Sequence, residues 1–144
     1  MVKVTEKPIT IRVAKAIGRL LLLPKHRVAF DKNPKGDPIA VAIVAGIQAA
    51  KKCGDLIPLC HSLPLTQVAI EIHKVEWNSD HPMLEIAATV EAEGKTGVEM
   101  EAYIAVAIAG VTLIDMFKGI DPDLVLTEIK LLEKTGGKSN WQRT

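Results

Sequence analysis

Apolar and polar residues alternate along two neighbouring stretches of the chain. Over Gln67–Trp77, Val68, Ile70, Ile72 and Val75 contrast with Glu71, His73, Lys74 and Glu76. Over Met83–Glu93, Leu84, Ile86, Ala88, Val90 and Ala92 contrast with Glu85, Thr89, Glu91 and Glu93. Successive strand residues point to opposite faces, so this period predicts two strands with one face on a core and the other in water. The turn-forming cluster Asn78-Ser79-Asp80-His81-Pro82 between them predicts an antiparallel hairpin.

Two further runs have helical length. Asp37 can cap a helix whose first residue is Pro38, running to about Lys52 or Cys53 with Gly54 as its stop. Ile39, Val41, Ile43, Val44 and Ile47, with alanines and Gly46 between, make it apolar on nearly every side. Such a helix is buried all round, which in a small domain predicts contact with another subunit as well as with its own core. Thr96 and Glu99 have capping-box spacing, so a second helix should begin near Gly97. It runs through Met100, Ile104, Ile108, Val111 and Ile114 to Lys118, where Gly119 stops it and Pro122 follows.

Ile9–Leu23 fits either period. Ile9, Ile11, Val13 and Ile17 suit one face of a strand, while Ile9, Val13, Ile17 and Leu20 suit a helix stripe; Gly18 and the early β-branched residues favour a long strand. Pro24 then opens a short helix over Lys25–Lys32. Leu124–Lys134 reads as a last strand, followed by a polar tail from Thr135. The order strand, helices, hairpin, helix, strand predicts an α+β fold: a ferredoxin-like two-layer sandwich, one antiparallel sheet against two long helices, in a single domain over residues 1–144.

Composition narrows this picture. The chain is 48% hydrophobic but only 3% aromatic, so its core must come from Ala, Val, Ile and Leu. A net charge of +1 supplies no general field for nucleic acid or a membrane surface, and any anion site must be local. The apolar runs Ile39–Ala50 and Tyr103–Met116 are shorter than a membrane span and end in charge. Cys53 and Cys60, in a chain whose start Met1–Lys7 has no apolar leader, predict reduced thiols and a cytoplasmic setting.

Candidate chemistry centres on Asp55–Leu65, an apolar loop holding Pro58, Pro64 and the pair Cys60-His61. Such a loop should pack under something, since its backbone polar groups need partners. His61 is either a structural histidine satisfied by backbone or a general acid or base. Cys53, Cys60 and His61 match no regular zinc spacing, so no metal is expected. Asp115 and Lys118, three apart on a helix, are either a surface ion pair or an acid–base couple within the apolar stretch Leu113–Phe117. Glu99 and Glu101 are ordinary first-turn residues of a helix, or acceptors for the N–H edge of a purine or pterin. Lys35, beside a helix N-terminus, is a solvated loop lysine or part of an anion site.

Six segments, in order, carry a resemblance: Lys35-Gly36-Asp37; Ala45-Gly46-Ile47-Gln48-Ala49-Ala50-Lys51; Leu56-Ile57-Pro58-Leu59-Cys60-His61; Lys95-Thr96-Gly97-Val98-Glu99-Met100-Glu101-Ala102; Asp115-Met116 with Lys118; and Gly136-Gly137-Lys138-Ser139. Together they resemble the cyclic pyranopterin monophosphate synthase family of molybdenum-cofactor biosynthesis over nearly the whole chain. The resemblance implies a ferredoxin-like subunit in a homohexamer, a trimer of dimers, with active sites between subunits. It implies a lyase that needs no cofactor and turns the small molecule 3′,8-cyclo-7,8-dihydro-GTP into cyclic pyranopterin monophosphate and pyrophosphate. It matches Lys35, Lys118 and Asp115 to catalysis, and Leu59, Cys60, His61, Met100 and Glu101, with Glu99, to substrate contact. Arg12, Lys51 and Lys134 match family basic residues near the phosphates. Ser62 stands where the family usually has proline, Gly119 and Pro122 interrupt a segment expected to be less broken, and the N-terminus is short. A non-catalytic ferredoxin-like module that binds a nucleotide as an oligomer is the rival reading.

Overall fold

The two alternating runs form the expected hairpin in the computed structural model, which describes residues Met1–Thr144. Strand β2 (Leu65–Val75) pairs antiparallel with β3 (Met83–Gly94), from Leu65↔Ala92 to Val75↔Met83. On β3 the even-numbered residues Leu84, Ile86, Ala88, Val90 and Ala92 are all buried. Strand β1 (Thr10–Leu21) lies along the other edge of β3, and β4 (Val125–Thr135) along the other edge of β1. The sheet order is β2-β3-β1-β4-β5, where β5 is the two-residue strand Trp141–Gln142. Each of β1→β2 and β3→β4 therefore joins parallel strands across an intervening antiparallel one, which is the ferredoxin-like split βαβ arrangement.

The crossovers carry helices α1 (Pro38–Lys51) and α3 (Glu99–Phe117); α2 (Cys53–Leu56) is a single turn beyond α1. Helix α1 packs on β2 and on α3, and α3 lies over β1, β3 and β4. Asp37 caps α1 as expected, its carboxylate accepting from the N–H groups of Ile39 and Ala40. The core is largely small: Ala14, Ala16, Ala88, Ala92, Ala102, Ala105 and Ala109 are buried beside Leu20, Val106 and Leu113. Small side chains let the layers approach closely. At Gly46 of α1 an added Cβ would meet Ile70 and lie 2.8 Å from the Ala105 carbonyl oxygen of α3.

Three of the five aromatic residues, Phe30, Trp77 and Phe117, gather at the C-terminal end of α3. Phe30, from the 3-10 helix Pro24–Phe30, sits edge-on to Trp77 at 4.8 Å and 5.1 Å from the buried Phe117. His26 of the same helix is buried, accepting from the Leu23 N–H through Nδ1. This cluster fixes the segment that leads to Lys35.

Several expectations need correction. The buried face of β1 is the even one, Arg12, Ala14, Ala16 and Leu20, and Ile9 and Ile11 are exposed. Bulky residues cannot sit under α3: a Cβ at Gly18 would come within 2.7 Å of Val106. The capping box does not form. Val98 is the cap residue and Glu99 begins the helix, with its carboxylate folded back over Gly97. Gly54 does not stop α1 but lies inside α2, where its missing side chain admits Ser62. The expectation that α1 also meets another subunit is not one of these: within the single chain its Val44 is left 59% exposed. Helix α3, nineteen residues long, is apolar enough to cross a membrane by length and composition, but its inner face is the core of the domain.

Candidate active site

Helix α3 carries candidate residues at both ends. At its C-terminal end the Asp115 carboxylate lies between two ammonium groups. Lys118 Nζ is 2.8 Å from Oδ1, and Lys35 Nζ is 2.6 Å from Oδ2 and also donates to the Asp115 carbonyl at 3.1 Å. Hydrogen bonds from Lys118 first and Lys35 second pull the Asp115 carboxyl down to about 2. The three side chains are about half exposed and line one open cleft of about 540 Å³ with Lys32, Asn33 and Pro34. Two cations share one anion, so the group has a surplus positive charge facing solvent.

At the N-terminal end of α3, Glu99, Met100 and Glu101 meet the Leu59-Cys60-His61 segment around a cleft of about 360 Å³. That segment is not packed under other elements in the single chain: Leu56 and Leu59 are exposed, while Cys60 and His61 are half-buried. Glu101 is only 3% exposed. Burial pushes its carboxyl above the usual range, opposed by hydrogen bonds from its own backbone N–H and from Cys53. Cys53, given no site role from the sequence, is buried beside that carboxylate. Its thiol is pushed up to about 12 by burial first, then by Glu101 and Cys60. No group of three or more His, Cys, Asp or Glu converges at metal-binding spacing.

A second cleft of similar volume adjoins the first, sharing Lys7, Thr96, Gly97 and Glu99 with it. Its wall is basic: Lys7, Arg12, Lys95, Lys134 and Lys138, with Glu99 as the lone acid. Glu99 pairs with Lys134 at 3.0 Å. Arg12 is 9% exposed, donates from Nε to the Gly94 carbonyl at 3.3 Å, and forms an ion pair with no carboxylate. Its guanidinium lies against Gly137, where a Cβ would come within 3.2 Å of Nη1. The Arg12 side chain is mostly buried, but its unpartnered terminal nitrogens reach the cleft, and a guanidinium with spare donors and no counter-ion is a site for an anion. Lys7, Lys95 and Lys138 have no site role assigned from the sequence, because only the fold brings the start of the chain, the β3–α3 turn and the β4–β5 turn together.

The sequence-predicted residues thus fall into separate groups within one chain. Leu59, Cys60, His61, Met100, Glu101, Glu99, Arg12 and Lys134 surround the two adjoining clefts. Lys35, Asp115 and Lys118 stand at the other end of α3. Lys51 lines a shallow groove with Ile47 and Leu65 that shares Leu63 with the cleft at Glu101 but contains none of the other predicted site residues. At 1.5 Å per residue, the fourteen residues from Glu101 to Asp115 span roughly 21 Å.

Comparison with known proteins gives the family. The family model described as MoaC family matches residues 1–137. The chain is 49% identical over 146 residues to a cyclic pyranopterin monophosphate synthase of Thermomicrobium roseum, covering 99% of this chain and 86% of that protein. It is 48% identical to the protein of that name from Dinoroseobacter shibae, covering 96% and 87%, and 44% identical to that from Streptomyces avermitilis, covering 100% and 84%. A family match over nearly the full chain, with relatives this similar over most of their own length, places the protein in the MoaC family.

Proposed function

We propose that this chain, as one domain over residues 1–144, is a cytoplasmic lyase of molybdenum-cofactor biosynthesis that converts 3′,8-cyclo-7,8-dihydro-GTP to cyclic pyranopterin monophosphate and pyrophosphate. The observation that carries the proposal is the pair of adjoining clefts. One is floored by a buried carboxylate, and the other is lined by a guanidinium without a counter-ion, on a side chain only 9% exposed. A purine-derived base beside a triphosphate has that same order of groups. The three relatives carry the name of this activity.

In this reading Glu101, with Met100 and the Leu59–His61 segment, orients the base, and Arg12 and Lys134 take the phosphates. Lys51 joins them from a neighbouring copy. A sugar hydroxyl attacks the α-phosphorus, forming the cyclic phosphate as pyrophosphate leaves. The hydroxyl proton needs a base, and the departing oxygens need cations. Lys35 and Lys118 supply proton transfer to this step and to the ring opening and closure that build the pterin. Asp115 stays ionised and holds both ammonium groups in place. Substrate and products balance without added water or redox change.

The two ends of α3 are too far apart to act together in one chain. We place the complete site between subunits of a homohexamer, a trimer of dimers, where one chain's Lys35–Asp115–Lys118 group faces its neighbour's clefts. Pyrophosphate release from the cyclic dihydro-GTP tests the activity; GTP itself should not react. Lys35→Ala and Lys118→Ala should each lose roughly 10²–10⁴-fold in rate, the range for positioned acid–base groups. Full turnover by either variant defeats the assignment. Mixed oligomers test the shared site. Lys118→Ala and Arg12→Ala chains, refolded together in equal amounts, should recover about one quarter of wild-type activity, since half of each partner contribution is intact in a symmetric assembly. No recovery means both halves come from one chain.

The rival reading is binding without turnover. Separation of His61 from the lysines in the single chain favours it. It predicts tight association with the cyclic dihydro-GTP and no pyrophosphate.

A further inference from the structure

We infer that Asn33 is a positioning residue for Lys35: a strut that ties the Asn33–Gly36 turn to the last turn of α3 and holds the ammonium group at Asp115. The inference rests on the reading that Lys35 serves catalysis, and its test separates the two.

The end of α3 accounts for its own backbone. The last carbonyls of a helix lack intrahelical donors and need other partners. Ile114 O accepts from Lys118 N at 2.8 Å, and Phe117 O accepts from Ile120 N at 3.0 Å. Asp115 O and Met116 O remain. Asp115 O accepts from Lys35 Nζ at 3.1 Å, and Met116 O from Asn33 Nδ2 at 2.8 Å. Two side chains from one turn thus serve two successive carbonyls of another element.

Asn33 also shapes that turn. Its Oδ1 accepts the Lys35 N–H at 3.0 Å, and its backbone carbonyl accepts the Gly36 N–H at 3.1 Å. Reversing the side-chain amide would set oxygen against oxygen at Met116 and N–H against N–H at Lys35, so both contacts select one orientation. Gly36 completes the turn at φ +99°, a conformation open to glycine. From Asp31 to Asp37 only Asn33 is partly buried, and its neighbours are exposed. An exposed lysine paired with an exposed carboxylate is weakly held, because the pair is screened and the long side chain loses rotamer freedom. Fixing the Lys35 backbone removes part of that freedom before the ion pair forms.

Two variants divide these contacts. Asn33→Asp keeps the acceptor for Lys35 N–H but places an oxygen against Met116 O. Asn33→Ala removes both. We expect each to lower kcat for pyrophosphate release by roughly 10- to 100-fold, the scale for misplacing a reacting group by about 1 Å. KM should stay within about twofold, because Asn33 touches neither the base cleft nor the phosphate cleft. A second readout needs no turnover. In ¹³C-detected titration of the Asp115 carboxyl, Asn33→Ala should move the midpoint up towards the ordinary carboxylate range as Lys35 withdraws. Wild-type kcat and an unmoved Asp115 titration, in a background where Lys35→Ala is inactive, overturn the strut while leaving the functional reading intact. A kcat loss that only tracks the loss of folded protein overturns it too. If Lys35→Ala itself retains turnover, the functional reading fails, and the titration still decides whether Asn33 holds Lys35 in place.

Discussion

Replacing Arg12 by Met removes a guanidinium while keeping a side chain of similar length, and the sequence of energies can be worked from its surroundings. Arg12 is 9% exposed and has one hydrogen bond, from Nε to Gly94 O at 3.3 Å. Losing a hydrogen bond from a charged group costs about 1.5–3 kcal/mol. Removing a mostly buried charge that has no carboxylate partner returns a desolvation penalty that offsets much of this, reduced because the terminal nitrogens reach the cleft. The stability of the free protein should therefore change by no more than about 1 kcal/mol. Anion binding should change much more. A guanidinium meeting a phosphate gives paired, charge-assisted bonds, and losing about 2–3 kcal/mol weakens binding by about 30- to 150-fold. Titration calorimetry with pyrophosphate reads this directly. A melting experiment reads it again. At 100 times the wild-type Kd, pyrophosphate should stabilise the wild type by about 2.7 kcal/mol, or about 5–11 °C. At that concentration the variant should gain only about 0.3–0.9 kcal/mol, or about 1–4 °C. Wild-type pyrophosphate affinity in Arg12→Met, or a free protein destabilised by more than about 3 kcal/mol, would refute the reasoning and make Arg12 a structural residue.

Gly46→Ala should lower stability by about 1–3 kcal/mol in urea unfolding, because the backbone oxygen of Ala105 cannot yield as a side-chain end can; an unchanged midpoint would mean α1 and α3 separate freely. The Glu101 carboxyl is raised by burial above its ordinary value of 4.5, so the folded state holds its proton more tightly than the unfolded state. That contribution is complete below the unfolded value and is lost as pH rises through the folded one. Glu101→Gln should flatten the fall in stability between those two values, while weakening binding of the cyclic dihydro-GTP; a stability profile that keeps the wild-type slope there would contradict the assignment to Glu101. Under native conditions N-ethylmaleimide should label Cys60 and spare Cys53, which is 1% exposed with its thiol pushed up to about 12; equal labelling by peptide mass analysis would show that Cys53 is accessible.

The parts of this molecule that were legible in the sequence are those whose cause is local. Alternation of Leu84, Ile86, Ala88, Val90 and Ala92 with glutamates fixes the face of β3 without any knowledge of its partners. Helix spacing places Asp115 and Lys118 on one face, where they pair. On β1 the bulky residues Ile9, Ile11, Val13 and Ile17 mark the outer face instead, because the core face there is Ala14, Ala16 and Gly18, kept small by the close approach of α3. Thr96 and Glu99 have the spacing of a cap, yet Lys134 of β4 draws the Glu99 carboxylate away, a contact between segments distant in sequence. Asn33 gave no signal because its partner is a backbone carbonyl, which no residue type announces. Cys53 gave none because its place beside Glu101 depends on α2 meeting the start of α3.

The placement of chemistry at the two ends of α3 follows from what the rest of the helix must do. Its middle, Ala102 to Leu113, is the centre of the core, where Ala105, Val106 and Ala109 are fully buried. A charge there would need a partner inside a packed layer of small apolar side chains. The ends differ because their free N–H and C=O groups already require polar company. First-turn glutamates suit the positive end, and ammonium groups suit the negative one. Functional groups can therefore be added at either end without disturbing the core, but nineteen residues of rigid helix keep them apart. A reaction that needs both sets must bring a second copy of the chain. The exposed apolar residues Val41 and Val44 of α1 and Val111 of α3 then become surface that such a copy would cover.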